Sequence, residues 1–282
     1  MPRAGDPFVG LRTRLIAVAA LAFAVGAGIA GFLIGQAPGT YSALNAAALA
    51  VAALLIVLAS GAMRKGAETA VILAALALLA ASLIFGPDVQ GVHRWLAAGP
   101  LVVHVGMLVI PSLCVVLNRQ PPALAIAAVA ALTALIWAQP DAASALAVFC
   151  ALAAAGLTRR DKGSGALAIL ALLGLVLTAR RPDPLNGLPF VETAIGDAWA
   201  AHPLLGLLEI AGLLTAIIAP TAVLARSGRH RLAPALALTG AMSGFAIAGL
   251  VGAYPQPLVG YGASAIVGYG LSLALLCMIA ER

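Results

Sequence analysis

The sequence predicts an all-α integral membrane protein: a single polytopic domain, residues 1–282, built as a bundle of about ten transmembrane helices. The first observation behind this prediction is composition. The chain is 63% hydrophobic and 9% charged, with a mean hydropathy of +1.08, whereas a soluble domain carries about 25% charged residues. The second is the recurrence of long apolar segments, and the third is the placement of Lys and Arg between them.

Each predicted span is a mostly apolar run of the roughly 20 residues that a transmembrane helix needs. Short segments rich in Gly, Pro or Arg separate the runs. The first run follows a short basic tail without a small-residue cleavage site, which indicates a retained helix rather than a signal peptide. The ten predicted spans are 14–35, 42–62, 68–86, 99–117, 122–138, 141–157, 164–180, 203–225, 232–252 and 259–280.

The basic residues fall at alternate connections, and short cytoplasmic loops retain Lys and Arg. With the N-terminus inside, all but three of the 16 basic residues lie on the cytoplasmic side. The cytoplasmic set is Arg3, Arg12, Arg14, Arg64, Lys65, Arg119, Arg159, Arg160, Lys162, Arg226, Arg229, Arg231 and Arg282. The exceptions are Arg94, Arg180 and Arg181. We therefore predict that both termini are cytoplasmic.

The net charge of +6 is explained by this topology and by anionic membrane lipids, so no nucleic-acid partner is expected. Cys114, Cys150 and Cys277 all fall within predicted spans. They show neither metal-ligand spacing nor a disulfide framework, and we interpret them as buried apolar residues.

Four connections predicted to lie outside the cytoplasm concentrate the polar residues: 87–98, 138–142, 180–203 and 253–264. Their acids are Asp88, Asp141, Asp183, Glu192 and Asp197. Such a surface suits an anionic, sugar-bearing headgroup held through Arg and a divalent cation such as Mg²⁺ or Mn²⁺. We expect Arg94 to pair with Asp141 or Asp88.

Taken singly, these features also have structural interpretations. Arg94 and Trp95 are typical of an interfacial anchor. Asp141 after Pro140 is typical of a helix cap. The small residues at 261–264 favour close helix packing.

Two ionisable residues lie inside predicted spans. Glu209 is six residues past Pro203, which places it roughly 9 Å below the helix end. A carboxylate at that depth is costly and should face the bundle interior or a polar cavity. For His104 we expect a hydrogen-bonded interhelical histidine, since a neutral imidazole is cheaper to bury.

The polar segments follow a recognisable order along the chain. GVHRWLAAGP at 91–100 precedes the fourth span, QPD at 139–141 joins the fifth and sixth, and PLVGYGAS at 257–264 enters the tenth. This order resembles the SEDS family of FtsW/RodA/SpoVE-type cell-wall proteins, in a divergent and shortened form. The matching positions are Gly91, Arg94, Trp95, Gly99, Gln139, Pro140, Asp141, Ser144, Pro257, Tyr261, Gly262 and Ser264.

The resemblance implies a glycosyltransferase that polymerises lipid II, the undecaprenyl diphosphate-linked peptidoglycan precursor. It implies the bacterial cytoplasmic membrane, a role in division or cell shape, and a class B penicillin-binding protein as partner. A carboxylate in the loop after the seventh helix would deprotonate the attacking sugar hydroxyl. The substrate-binding residues implied are Arg94, Trp95, Gln139, Asp141, Arg181, Glu209, Tyr261 and Ser264.

The chain departs from the family pattern at two places, and these leave alternatives open. The family continues its first motif with Q-P-S-E, where this chain has His104, Val105, Gly106 and Met107, so the acid is missing. A gap-free alignment puts the catalytic carboxylate at Glu192. In a second alignment the catalytic segment is deleted, and Glu192 is an ordinary loop or interfacial-helix residue.

One alternative function follows from these departures, and another from the two ionisable residues inside the spans. The first is a catalytically inactive SEDS-like paralogue that binds the lipid-linked precursor or scaffolds cell-wall proteins. The second is a small transporter, with Glu209 and His104 forming its polar pathway.

Overall fold

The computed structural model describes residues 7–59, 61, 63, 66–99, 101–159, 161–224 and 229–280. Of the basic residues used to predict the topology, Arg3, Arg64, Lys65, Arg160, Arg226 and Arg282 lie outside this range. The described helices are α1 (Pro7–Ile34), α2 (Gly39–Leu58), α3 (Ala67–Phe85), α4 (Val105–Leu117), α5 (Pro122–Ala138), α6 (Ala142–Arg159), α7 (Lys162–Ala179), α8 (Ala194–Ala201), α9 (Pro203–Leu224), α10 (Arg229–Val251) and α11 (Ala263–Ala280). Two strands, β1 (Trp95–Ala98) and β2 (Leu101–His104), precede α4.

All ten predicted spans contain a helix, and the described part of the chain adds one short helix, α8, inside the loop 180–203. Eight of the helices are long and apolar enough to cross a membrane, while α4 and α5 are shorter apolar helices. The prediction of an all-α polytopic membrane protein is confirmed. Cys114, Cys150 and Cys277 lie on α4, α6 and α11 and form no disulfide with one another.

The fourth span differs from its prediction. Residues 99–117 were expected to form one helix, but the first part is a β-hairpin, in which Trp95 faces His104 and Ala98 faces Leu101. Gly99 has a φ of +61°, which favours glycine, and Pro100 has no N–H to offer a helix. The β-branched Val102 and Val103 then favour a strand. Hydropathy alone does not distinguish this hairpin from the helix that follows it in sequence, because both are apolar.

Helix α4 is only 13 residues long, shorter than a lipid-facing helix requires. Apart from the half-buried Leu108, every residue of α4 is buried, because α3, α6, α10 and α11 surround it. Its backbone is therefore shielded by protein, and its length does not have to match the bilayer.

Helices α6 and α10 make the most extensive contact among the described helices. A Cβ added at Gly240 would lie 2.3 Å from the carbonyl oxygen of Cys150, and one added at Gly244 would lie 2.5 Å from the Cα of Ala147. Small residues that permit such backbone approach are a common way to pack helices in membranes.

Polar connections gather at one end of the bundle, which we call the polar end: residues 86–104, 139–141, 180–202 and 252–262. Arg94 reaches both the 139–141 and the 180–202 connection. Gln256 accepts a hydrogen bond from the backbone N–H of Ile195 at 2.7 Å. The prediction that 91–98 and 180–203 share one side is confirmed.

The opposite end carries the basic connections, and we call it the basic end. Arg119 pairs with Glu68 at 2.8 Å, and Arg159 donates a hydrogen bond to the carbonyl oxygen of Asn118. Which end faces the cytoplasm stays a prediction from the positive-inside pattern.

Candidate functional site

A buried charge cluster lies at the polar end, where three of the sequence motifs meet. Its members come from the hairpin, the starts of α6 and α11, and the connections after α7 and α10. We call this group the Arg94 cluster: Arg94, His104, Asp141, Ser144, Asp183, Tyr254 and Ser264.

Arg94 is the central cation of this cluster and is only 1% exposed. Its guanidinium donates to Asp183 Oδ2 at 2.5 Å and to the carbonyl oxygen of Pro140 at 3.1 Å. It also lies 5.3 Å from the ring centroids of both Trp95 and Tyr254. Burial opposes the charge, but Asp141 and Asp183 raise the pKa of Arg94. Arg94 is therefore a fixed, desolvated cation.

The predicted partner of Arg94 was wrong. The direct ion pair forms with Asp183, 89 residues away in sequence, and Asp141 acts at longer range. Asp88 instead accepts the backbone N–H of Gly91 at 2.6 Å. The sequence contained several candidate acids in the right loops, and only the packing of the loops selects one of them.

Asp141 is fully buried at the start of α6. One oxygen accepts the backbone N–H of Ser144 at 3.0 Å and the other accepts the Ser144 hydroxyl at 2.5 Å. It is therefore a helix cap as well as a cluster member. Burial opposes ionisation, but His104, Arg94 and the two bonds from Ser144 hold the pKa of Asp141 below its usual value. At neutral pH it is a carboxylate.

His104 joins all three motifs. Its backbone N–H donates to the Ser264 hydroxyl at 2.9 Å, and its ring lies edge-on to Trp95 at 5.9 Å. Its Nδ1 accepts the backbone N–H of Met107 at 3.3 Å, so Nε2 carries the proton in the neutral ring. That atom faces Asp141 Oδ2 at 3.8 Å.

Burial lowers the pKa of His104 to about 4, against the attraction of Asp141. A neutral ring whose only lone pair accepts a backbone N–H is a poor general base. His104 therefore positions its neighbours, as expected of a hydrogen-bonded histidine, although it ends a strand and is not inside a helix.

Gly106 leaves the room that this arrangement needs. A Cβ at that position would lie 2.2 Å from the Ser144 hydroxyl oxygen and 3.1 Å from Asp141 Oδ2. At residues 104–107, where the chain departs from the family pattern, Ser144 and Asp141 fill the space next to Gly106, so a larger side chain would not fit there.

Gln139 and Tyr261 lie outside the Arg94 cluster. Gln139 is fully buried and donates to Ser82 and to the carbonyl oxygen of Leu79, each at 2.8 Å, which joins the end of α5 to α3. Tyr261 stacks on Tyr41 with ring centroids 3.7 Å apart. Both predicted binding residues make structural contacts, and their predicted role in binding substrate is untested.

Glu192 lies just before α8 and is half-buried. Its Oε2 accepts the backbone N–H of Leu188 at 2.7 Å. Burial raises the pKa of Glu192, although the Leu188 bond and the charge of Arg94 act in the opposite direction. A carboxyl with a raised pKa within electrostatic reach of a fixed cation is a reasonable proton acceptor.

The rest of this loop is organised by a second acid. Asp197 on α8 accepts the backbone N–H of Phe190 at 2.7 Å and the Thr193 hydroxyl at 2.6 Å. These bonds hold residues 188–193 as a compact turn above α8. We call residues 186–193 the Glu192 loop.

Arg181 is not part of the Arg94 cluster. Its guanidinium stacks on Trp137 at 4.7 Å and donates to the carbonyl oxygen of Trp137 at 3.1 Å. Trp137 is 47% exposed, so this pair lies on the outer surface of α5 and α7. The structure does not bring this predicted binding residue to the others.

Glu209 is 1% exposed on α9, so it faces the bundle interior, as predicted. Its Oε1 lies against Gly31 of α1, where an added Cβ would come within 2.2 Å. Its buried Oε2 has no hydrogen-bond partner among the described residues. Among the described residues, no hydrogen bond or ion pair joins Glu209 to His104, and a polar pathway between them stays untested.

The predicted divalent cation has no ready-made site in the part of the chain that is described. There, no group of three or more His, Cys, Asp or Glu side chains is placed to hold a metal ion. The cluster acids already serve other partners, Asp183 binding Arg94 and Asp141 binding Ser144. These residues therefore do not form a preformed site for Mg²⁺ or Mn²⁺, and the predicted cation stays a prediction.

Two structural contributors were missed at the sequence level. Tyr254 lies against Arg94, and nothing in the sequence singled it out. Asn45 is fully buried in α2, donates to the carbonyl oxygen of Gly260 at 3.0 Å and accepts the backbone N–H of Gly262 at 3.1 Å. A lone amide in an apolar span was the available signal for Asn45.

Together the bundle and its polar end define a multi-pass membrane protein whose polar and charged residues gather at one end. No protein-family model and no curated protein sequence matches the chain. Among solved structures it is similar to the rod shape determining protein RodA of Thermus thermophilus, with a TM-score of 0.72 and 21% identity over 94% of this chain and 95% of that one. The resemblance recognised from the motifs is confirmed at the level of the fold.

Two further solved structures agree. An aspartate-to-alanine variant of the same RodA gives a TM-score of 0.73 at 21% identity, covering 94% of this chain and 96% of that one. A chain of a peptidoglycan synthase complex, described as coordinating polymerisation and crosslinking, gives 0.65 at 23% identity, covering 92% and 96%.

Proposed function

We propose that this protein is a SEDS-type peptidoglycan glycosyltransferase that polymerises lipid II at the outer face of the bacterial cytoplasmic membrane, in cell division or cell-shape maintenance. The observation that carries the proposal is the gathering of the three motif segments and the Glu192 loop at one end of a RodA-like bundle. A lipid-linked sugar that enters from the bilayer side would meet all of them at that end.

In this proposal Glu192 is the general base. A sugar hydroxyl is a weak nucleophile, and a carboxylate that removes its proton as it attacks the anomeric carbon contributes typically 10²–10⁴-fold. The glycosidic bond forms as the bond from the anomeric carbon to the diphosphate breaks, and the diphosphate leaves with the bonding electron pair. Arg94 contacts both the 139–141 and the 180–202 connection, so in this proposal it positions the connection that carries Glu192.

A class B penicillin-binding protein is the proposed partner. The support is the RodA-like chain in a complex described as coordinating polymerisation and crosslinking. The two reactions use the same growing strand, so a polymerase and a transpeptidase held together have a chemical reason to associate.

The direct test uses the purified full-length protein with labelled lipid II and Mg²⁺ or Mn²⁺ added in parallel reactions. We expect glycan polymer from the wild type and a loss of at least 100-fold for Glu192→Gln, within the range for a general base. Asp161→Asn, an exposed acid at the basic end, serves as the matched control and should polymerise normally. A wild type that binds lipid II and makes no polymer contradicts the enzyme.

A second candidate is supported by the Glu192 loop itself. The Glu192 carboxylate already accepts the Leu188 N–H, and a catalytically inactive paralogue that binds the lipid-linked precursor requires no free base. This candidate predicts that Glu192→Gln binds lipid II with the same affinity as the wild type and that neither forms polymer.

A further inference from the structure

Two adjacent arginines occupy the end of α7 on the outer surface of the polar end. Helix α7 ends at Ala179, Arg180 is its C-cap, and the backbone N–H groups of Arg180 and Arg181 both donate to the carbonyl oxygen of Thr178. Arg180 is exposed and Arg181 is half-buried. Each cation at a helix C-terminus is favourable, and this effect leaves the side-chain N–H donors of both arginines available to a ligand.

Arg181 is held in one orientation by Trp137. Its guanidinium stacks on the indole at 4.7 Å and uses one N–H on the Trp137 carbonyl oxygen. A guanidinium has five N–H donors in a planar fork, so most of them are left to bind an acceptor. Stacking also removes much of the side-chain freedom that a ligand would otherwise have to restrict.

In the described ranges no carboxylate lies within ion-pair distance of Arg180 or Arg181. The nearest acid in sequence is Asp183, and its carboxylate is committed to Arg94. Arg94 itself is buried and paired, so among the described arginines of the polar end only the exposed Arg180 and the half-buried Arg181 are accessible to a ligand.

An exposed apolar surface lies directly below the arginines. On the preceding turns of α7, Leu173, Val176 and Leu177 are 55%, 42% and 54% exposed, and Trp137 completes this surface on α5. Guanidinium groups above an apolar helix face match an anionic phospholipid. The guanidinium groups can bind the phosphate of its headgroup, and its acyl chains can lie along the apolar face.

We propose that Arg180, Arg181 and Trp137 form a binding site for the phosphate of an anionic phospholipid such as phosphatidylglycerol. The site does not depend on the glycosyltransferase function. It gives Arg181 a role outside the cluster, on the exposed surface of α5 and α7 where the structure places it. Because Asp183 follows only two residues later, a lipid bound here also anchors the connection that pairs with Arg94.

The test detects lipid binding through the fluorescence of Trp137, which is part of the proposed site. The chain has three tryptophans, so a Trp95→Phe, Trp199→Phe background leaves Trp137 alone. This protein is reconstituted into phosphatidylcholine nanodiscs, and fluorescence quenching by brominated phosphatidylglycerol is compared with quenching by brominated phosphatidylcholine. We expect half-maximal quenching at a clearly lower mole fraction of the anionic lipid.

Charge removal should abolish that preference. At about 1 kcal/mol for each basic residue near an anionic lipid, Arg180→Gln and Arg181→Gln should each weaken the preference by roughly fivefold, and the double variant by about 25-fold. Arg181→Lys should lose part of the preference because it lacks the planar fork. Arg12→Gln, an exposed arginine at the basic end, should leave Trp137 quenching unchanged.

Three outcomes would overturn the proposal: equal quenching by the two lipids, displacement of the brominated lipid by inorganic phosphate, or displacement by a polyprenyl diphosphate but not by unlabelled phosphatidylglycerol. The last would assign the site to the lipid-linked precursor. Native mass spectrometry of the wild-type and double-variant chains, with all tryptophans intact, shows whether retained phosphatidylglycerol follows the same order. Equal retention by both chains would also count against the site.

Discussion

The Arg94 cluster and the Glu192 loop lie at the same end of the bundle, yet they hold their charges in opposite ways. In the cluster, Arg94 and Asp141 are almost wholly buried and each has partners within hydrogen-bond distance. In the loop, Glu192 is half-buried and its carboxylate accepts one backbone N–H. The comparison teaches that the cluster is suited to holding the connections of the polar end in place. The loop, in contrast, presents a carboxylate that a substrate hydroxyl can reach.

The largest expected effect is the loss of the buried cation. Arg94→Gln leaves Asp183 and Asp141 without their positive partner, and breaking a buried ion pair from one side costs about 3–5 kcal/mol. Thermal unfolding of the purified protein in detergent should show a strongly lowered Tm. Arg12→Gln serves as the matched control and should change stability by less than about 0.5 kcal/mol.

A double variant tests whether that cost comes from unpaired charge. Arg94→Leu combined with Asp183→Leu removes both members of the pair, and it should be more stable than Arg94→Leu alone. If the double variant is the less stable of the two, the ion pair is not what the single substitution disrupts.

A smaller effect is expected where the cluster is crowded but not charged. Gly106→Ala places a Cβ on the Ser144 hydroxyl, and overpacking of this kind costs typically about 1–3 kcal/mol. Gly165→Ala is the control, because its added Cβ meets nothing within 4 Å and alanine favours the helix. Gly106→Ala in a Ser144→Ala background should cost less than in the wild type, and an equal cost would rule out the contact with Ser144.

The smallest effect on stability is expected in the loop. Glu192→Gln keeps an oxygen that can accept the Leu188 N–H, so unfolding should change by less than about 0.5 kcal/mol. Because burial raises the pKa of Glu192, folding favours its protonated form. The stability that this group contributes is therefore present at acidic pH and is lost as pH rises through the raised pKa.

The raised pKa of Glu192 has the opposite effect on catalysis, because a general base acts only in its deprotonated form. Polymerisation by the wild type should rise as pH passes the raised pKa of Glu192. An acidic limb that coincides with an unperturbed carboxyl would contradict the assignment of Glu192 as the base. A large loss of stability in Glu192→Gln would instead show that the loop is as tightly coupled as the cluster.

Much of this architecture could be predicted from the sequence, because the hydropathy of a segment depends only on the residues within that segment. The helical membrane bundle, the gathering of 91–98 with 180–203, and the burial of Glu209 were predicted and are confirmed, whereas the fourth predicted span is helical only over Val105–Leu117. The hairpin was missed because its residues are as apolar as the helix that follows, and only Gly99 and the valines at 102 and 103 distinguish it. The stacking of Arg181 on Trp137 was missed because no local pattern connects residues 44 positions apart.

The order of apolar and polar segments by itself determined that this chain is a bundle of membrane helices with its motif residues at one end. The reason is that lipid excludes unpaired polar groups, so the residue types of each segment decide whether it can lie within the membrane. Only the tertiary structure decided that Asp183, and not Asp141 or Asp88, pairs with Arg94, and that Glu192 caps a turn at the edge of the cluster. An ion pair depends on distances of a few ångströms between loops far apart in sequence, and those distances are fixed by how the helices beneath the loops pack.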